Sequence, residues 1–128
     1  MVNFESIIDN MISKTIFNPT TNTTLQVEIA DTFFSKLAGL MFRKSIPIDS
    51  CLILSERYES IINTSIHMLF MRFDIGVLWL SKDLTIVDKK FAKKWRLAYF
   101  SRLPAQHVVE LHPHQLEKFS TGDKVIIV

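Results

Sequence analysis

Apolar and polar residues follow two periods along this chain, and the switches between them mark its elements. NFESIIDNMISK (3–14) places Phe4, Ile7, Ile8, Met11 and Ile12 on one stripe of an amphipathic helix, predicted over 1–15. Ile16-Phe17 and LQVEIA (25–30) flank NPTTNTT, a run of turn formers. LQVEIA alternates, so the stretch predicts a hairpin whose second strand is half buried. DTFFSKLAGLMFRK (31–44) returns to helical spacing. Asp31 or Thr32 caps it, Phe33, Phe34, Leu37, Leu40 and Met41 form its apolar face, and Pro47 ends the segment.

Beyond Pro47 the period is mostly that of strands. CLIL (51–54) predicts a short buried strand, and SERYES (55–60) a polar loop. IGVLWL (75–80) is rich in β-branched and aromatic residues, with a turn at Ser81-Lys82-Asp83 and LTIVD pairing back. QHVVEL (106–111) is another strand, Pro113 suits the first turn of a helix, and KVIIV (124–128) is a final strand. The expected fold class is α+β. Short, mostly antiparallel strands form a twisted sheet or partial barrel, with two or three helices packed on it. No repeat or linker divides the chain, so 1–128 is expected to be one domain, a helix at 1–15 followed by a core at 16–128.

The totals narrow the function classes. Of 128 residues, 48% are hydrophobic and 22% charged, an ordinary globular composition with net charge +2. The lone cysteine excludes an intrachain disulfide, and no export signal or membrane span is visible, so the cytoplasm is the expected location. Charge is unevenly spread. Lys89, Lys90, Lys93, Lys94, Arg96 and Arg102 lie among Phe91, Trp95, Tyr99 and Phe100, with no acid between 89 and 109. Cations interleaved with aromatics suit phosphate contact and base stacking, and equally a solvated basic face.

HMLFMRFDIGVLWL (67–80) is apolar or glycine at 11 of 14 positions, yet keeps His67, Arg72 and Asp74. In an extended strand Arg72 and Asp74 share a face, roughly 7 Å apart. They would form a buried ion pair that sets register, or an arginine ready for a carboxylate or phosphate with Asp74 orienting it. His67 is a candidate base or a hydrogen-bonded structural residue. Arg43 is a cation at a helix C-terminus or a site residue. Glu110, His112 and His114 alternate as metal ligands could, but Pro113 breaks the strand, and no metal is assigned. With 3 glycines in the chain there is no phosphate-cradling loop.

Several words then line up with one family. ADTFFSKLAGLMFRKSIP resembles the A-D-T…G-L-M-x-R…P opening of the domain of unknown function 192 family. IHMLFMRFDIGVLWLSKD is similar to its H-T-F-x-M-R-F-P-I-D-V-x-F-L-D centre. KKWR, VVEL and TGDKVII resemble its P-W-R, V-L-E-L and x-G-D-x-V words. The family's F-P-I-D becomes Phe73-Asp74-Ile75-Gly76, moving the acid two positions. The resemblance implies a small, mostly β, α+β domain with no assigned activity.

The leading functional expectation is a non-enzymatic binding domain with a pocket for a small anionic or polar ligand. Arg72 would be the anion contact, Asp74 its orienter, Trp95 and Arg96 a stacking wall with a second cation, and His67 and Arg43 the margin. The alternatives are nucleic-acid binding along 89–102 and a hydrolase using His67 with Asp74. No cofactor, metal or membrane partner is expected.

Overall fold

The structure is a computed structural model and describes residues 14–29, 40–41 and 43–128. Its strands are β1 (Thr15–Asn18), β2 (Thr23–Ile29), β3 (Ser50–Ser60), β4 (Ile75–Leu80), β5 (Ile86–Ala92), β6 (Ala105–Leu111) and β7 (Ile126–Ile127), with a 3-10 helix over Pro113–Lys118. β1 and β2 form the predicted hairpin, Ile16 opposite Leu25. Asn22 takes a left-handed backbone (φ 55) in its turn, a conformation asparagine tolerates.

β2 then lies parallel to β3, Val27 beside Cys51. Parallel neighbours need a crossover, which the 20 residues of 30–49 supply. The remaining pairs are antiparallel, giving the order β5-β4-β6-β3-β2-β1-β7. The two edges are joined as well. Ile86 N–H donates to the Asp123 carbonyl at 2.8 Å, Gly122 N–H to Ile86 at 2.8 Å, and Val125 N–H to Leu84 at 3.0 Å. β7 pairs with β1 directly after that contact. The sheet therefore closes on itself as a small barrel, with residues 84–86 and 122–125 as its closing contact.

Alternation along the strands builds two cores. Inside the barrel lie Ile16, Leu25, Val27, Cys51, Ile53, Leu78, Leu80, Val109 and Leu111, plugged by Phe119 and Val125. Leu52, Val77, Trp79 and Val108 point outward from the same strands and are covered by Leu40, Ile46, Met68 and Met71. Trp79 is fully buried there, and its Nε1–H donates to the Thr64 carbonyl at 2.7 Å, satisfying the one polar atom of the ring. Asn18 latches the closure: its Nδ2 donates to the Lys118 carbonyl (2.8 Å) and to Asp123 Oδ2 (2.9 Å), and its Oδ1 accepts from Thr20 N–H. Hydrogen bonds from Asn18 and then Ser120 hold the Asp123 carboxyl below its ordinary range.

The α+β expectation is corrected. The described residues form a seven-stranded sheet, not a sheet with two or three packed helices, and none of their helices reaches 7 residues. The helices predicted over 1–15 and from Asp31 lie almost wholly outside the described residues. The third, at Pro113, is a 6-residue 3-10 turn. SERYES is not a loop either: it is the second half of the 11-residue β3. Its alternation was invisible because Arg57, Tyr58 and Glu59 are all exposed. Among the described residues no helix is long and apolar enough to cross a membrane.

Gly76 is a packing constraint. A Cβ there would lie 2.7 Å from Leu111 Cδ1 and 2.7 Å from Leu116 Cγ. Gly76→Ala is expected to destabilise the protein by roughly 1–3 kcal/mol through overpacking, read as a lower urea midpoint at unchanged slope.

Candidate functional site

Two segments that follow no regular pattern are laced into one platform. Ile66 and Tyr99 exchange N–H···O bonds of 3.0 and 2.8 Å. Met68 N–H donates to the Arg96 carbonyl (2.9 Å), and Trp95 N–H donates back to the Met68 carbonyl (2.7 Å). Lys94 N–H donates to Asp74 Oδ1 at 2.8 Å, and Lys93 N–H to the Tyr99 hydroxyl at 3.0 Å. Met68 and Met71 reach down into the outer core and fasten the platform to the barrel.

This lacing ties the segments that carry His67, Arg72 and Asp74 to the segment that carries Trp95 and Arg96. His67, Arg72, Trp95 and Arg96 are exposed, and Asp74 is half buried. Arg72 and Asp74 precede β4, which begins at Ile75, so the shared-face argument from strand parity does not apply to them. Asp74 directs Oδ1 to Lys94 N–H, and among the described residues the single ion pair is Arg43 with Glu28. Asp74 therefore shapes the loop through its backbone bond. No hydrogen bond joins His67 to Asp74 among the described residues.

Two platform residues are held in costly backbone. Phe70 (φ 62) and Trp95 (φ 69) both occupy the left-handed region, where bulky residues are rare. Their rings meet edge to face at 5.4 Å, and each is about half exposed, at 48% and 56%. Strain of about 1–3 kcal/mol per residue persists only where the surroundings enforce it. Here the surrounding hydrogen bonds hold both residues in it, with each ring about half exposed.

The basic segment divides in two. Lys89 Nζ donates to the Leu116 carbonyl (2.9 Å) and Lys90 Nζ to the Phe100 carbonyl (2.7 Å), so both ammonium groups serve the fold. Asp88, buried, accepts Lys89 N–H and Arg102 N–H at 2.8 and 2.9 Å and pins the far end of the segment. Lys93, Lys94, Arg96 and Arg102 remain exposed.

Arg43 stands apart from the platform contacts. Its Nη1 lies 3.0 Å from Glu28 Oε2, with both side chains roughly half exposed, a pair worth little to stability. It also acts on a group the sequence reading named only among unlikely metal ligands. Glu110 lies on the outer face of β6, opposite Leu52 of β3 and Val77 of β4, and is 7% exposed. Burial pushes its carboxyl up from the ordinary 4.5 to about 7, with Arg43 opposing. Parity along QHVVEL was the available signal, since Glu110 shares a face with buried Val108. His112 instead accepts His114 N–H on Nδ1, and among the described residues no three ligating side chains cluster.

The closed seven-stranded barrel, with loops packed over its outer face, defines a small β domain. The chain belongs to the DUF192 family, described as an uncharacterized ACR, whose pattern matches residues 15–127. A UPF0127 protein of Thermococcus kodakarensis is 42% identical over 85 residues, 66% of this chain and 52% of that protein. A UPF0127 protein of Pyrococcus horikoshii is 35% identical over 103 residues, 78% of this chain and 85% of that one. The chain thus spans about half the length of the first relative and most of the second. A protein of unknown function from Novosphingobium aromaticivorans has the same fold, with TM-score 0.77 at 18% identity, covering 88% of this chain and 82% of that one.

Glu110 sets a pH dependence. Its folded pKa of about 7 exceeds the ordinary 4.5, so folding takes up a proton between those values. Its contribution to stability falls as pH rises from 4.5 to 7 and is constant above, a loss of roughly 3 kcal/mol. Glu110→Gln is expected to remove that decline and to raise stability at pH 8, measured by urea unfolding at a series of pH values.

Proposed function

We propose that this chain is a small binding domain whose platform, built from segments 66–74 and 93–99, holds an anionic or polar ligand. The observation that carries this reading is the pair Phe70 and Trp95, held in strained backbone with half-exposed rings in edge contact. Strain of this kind concentrates at ligand sites, and the Trp95 ring is 56% exposed there. Arg72 and Arg96 supply planar cations suited to carboxylate or phosphate, and the Trp95 ring supplies a flat face. Asp74 positions the loop, and His67 lies at the margin. Arg43, engaged with Glu28, is assigned a supporting place near Glu110 rather than ligand contact.

A second reading, single-stranded nucleic acid, draws on Lys93, Lys94 and Arg102 beside the same aromatics. The commitment of Lys89 and Lys90 to carbonyl oxygens weakens it. No contact between His67 and Asp74 supports a hydrolase built on those two. Cys51 is buried, with its thiol pushed up to about 12 by burial and then by Glu28, so it is an inert hydrophobe. A protein without disulfides is at home in a reducing compartment, which supports the cytoplasm.

The test is a fluorescence titration with inorganic triphosphate and with adenosine monophosphate as probes. Saturable quenching of the exposed Trp95 is expected, with Arg72→Met and Arg96→Met each weakening binding by about tenfold. Both variants should keep their unfolding free energy within about 0.5 kcal/mol, because both side chains are exposed. Titration with oligothymidylate separates the readings: tighter binding that falls steeply with salt supports nucleic acid. Absence of binding by all three probes at millimolar concentration overturns the platform.

A further inference from the structure

β3 and β6 set Ser55 directly opposite His107. Opposed residues of antiparallel strands share a face, and Ser55 Oγ lies 2.7 Å from His107 Nδ1. Immediately beyond, the pairing slips: the next matched residues are Ser60 and Ala105. Such irregularities bend a strand away from its neighbour and re-aim its side chains. Here the strand leaves β6 just past Ser55, and a cleft of about 340 Å³ opens, lined by Ser55, Glu56, Arg57, Tyr58 and Asn63.

We propose that Ser55 and His107 are a nucleophile–base pair that takes short, polar acyl groups from esters bound in this cleft. A serine hydroxyl needs a base within hydrogen-bond reach, and an imidazole at this distance is one. Burial lowers His107 from its ordinary 6.5, which favours the neutral ring that a base requires. With its proton on Nε2, Nδ1 accepts from Ser55 Oγ–H. As Oγ attacks the acyl carbon, that proton passes to Nδ1 and the carbonyl oxygen becomes an oxyanion. The Arg57 guanidinium and the Asn63 amide are the lining groups able to hold it. Collapse breaks the ester C–O bond, and the leaving alkoxide takes the proton from Nδ1. Water then hydrolyses acyl-Ser55 by the same path and restores the hydroxyl. The polar lining favours short polar esters over long alkyl chains. No platform residue takes part, so this activity and ligand binding stand or fall separately.

A fluorophosphonate is the probe, with intact mass and peptide mapping as the readout. The expected result is one adduct, on Ser55, lost in Ser55→Ala. His107→Asn keeps a hydrogen-bond partner for Oγ but no base, and is expected to slow labelling by on the order of 100-fold. The labelling rate of the wild type should rise with pH to a plateau, with a midpoint below 6.5. Hydrolysis of p-nitrophenyl acetate should follow the same pattern. An unlabelled Ser55, an adduct elsewhere, or unchanged labelling in a folded His107→Asn would each overturn the proposal. Mapping of the wild type decides the matter even if a variant fails to fold.

Discussion

The fold depends on burying both faces of β4. All 6 residues of Ile75–Leu80 are buried, so neither face can be left to solvent. Leu78 and Leu80 fall inside the barrel, while Ile75, Val77 and Trp79 need cover on its outside. A strand with that composition calls for a second layer. In the described part of this chain, loops from either side of β4 and β5 help supply it. The platform is therefore a by-product of covering a hydrophobic strand, and its exposed side chains are carried on a lid the core requires. Gly76 belongs to the same constraint, for it admits Leu111 and Leu116 against the strand.

Carboxylates hold this lid in shape, chiefly through backbone bonds. Asp74 takes Lys94 N–H, and Asp88 takes the N–H groups of Lys89 and Arg102. A charged acceptor makes a stronger hydrogen bond than a neutral one, and each such bond replaces a partner that a sheet would have given. Among the described residues no carboxylate pairs with the exposed guanidinium groups of Arg72 and Arg96.

Much of the sheet was legible in the sequence. The β1–β2 hairpin, β4, β5 and β6 announced themselves by alternation and by their turns, and the predicted segments overlap the observed strands. The failures have physical causes. β3 runs on into exposed residues, where no apolar face marks the period. The lone glutamate of β6 was visible by parity but masked by the histidines beside it. Strand parity does not extend to Arg72 and Asp74 because residues 72–73 bend before β4 begins at Ile75. Ser55 and His107, 52 positions apart, are joined only by register. The expected grouping of His67, Arg72, Asp74, Trp95 and Arg96 came from family words, while the bonds that lace their two segments are mostly backbone contacts that no side-chain pattern encodes.

The closure brings distant parts of the chain side by side. Thr15 and Val128 exchange N–H···O bonds of 2.9 and 3.0 Å across the β1–β7 seam. A short linker could join these two positions without disturbing either strand. The chain could then be reopened elsewhere, for instance at Lys82 and Asp83, which are exposed in the turn between β4 and β5. New ends are tolerated on exposed turns, and Thr15 and Val128 already touch. The order in which the strands are synthesised is thus separable from the order in which they pack, and the seam that completes the barrel need not be the last part made.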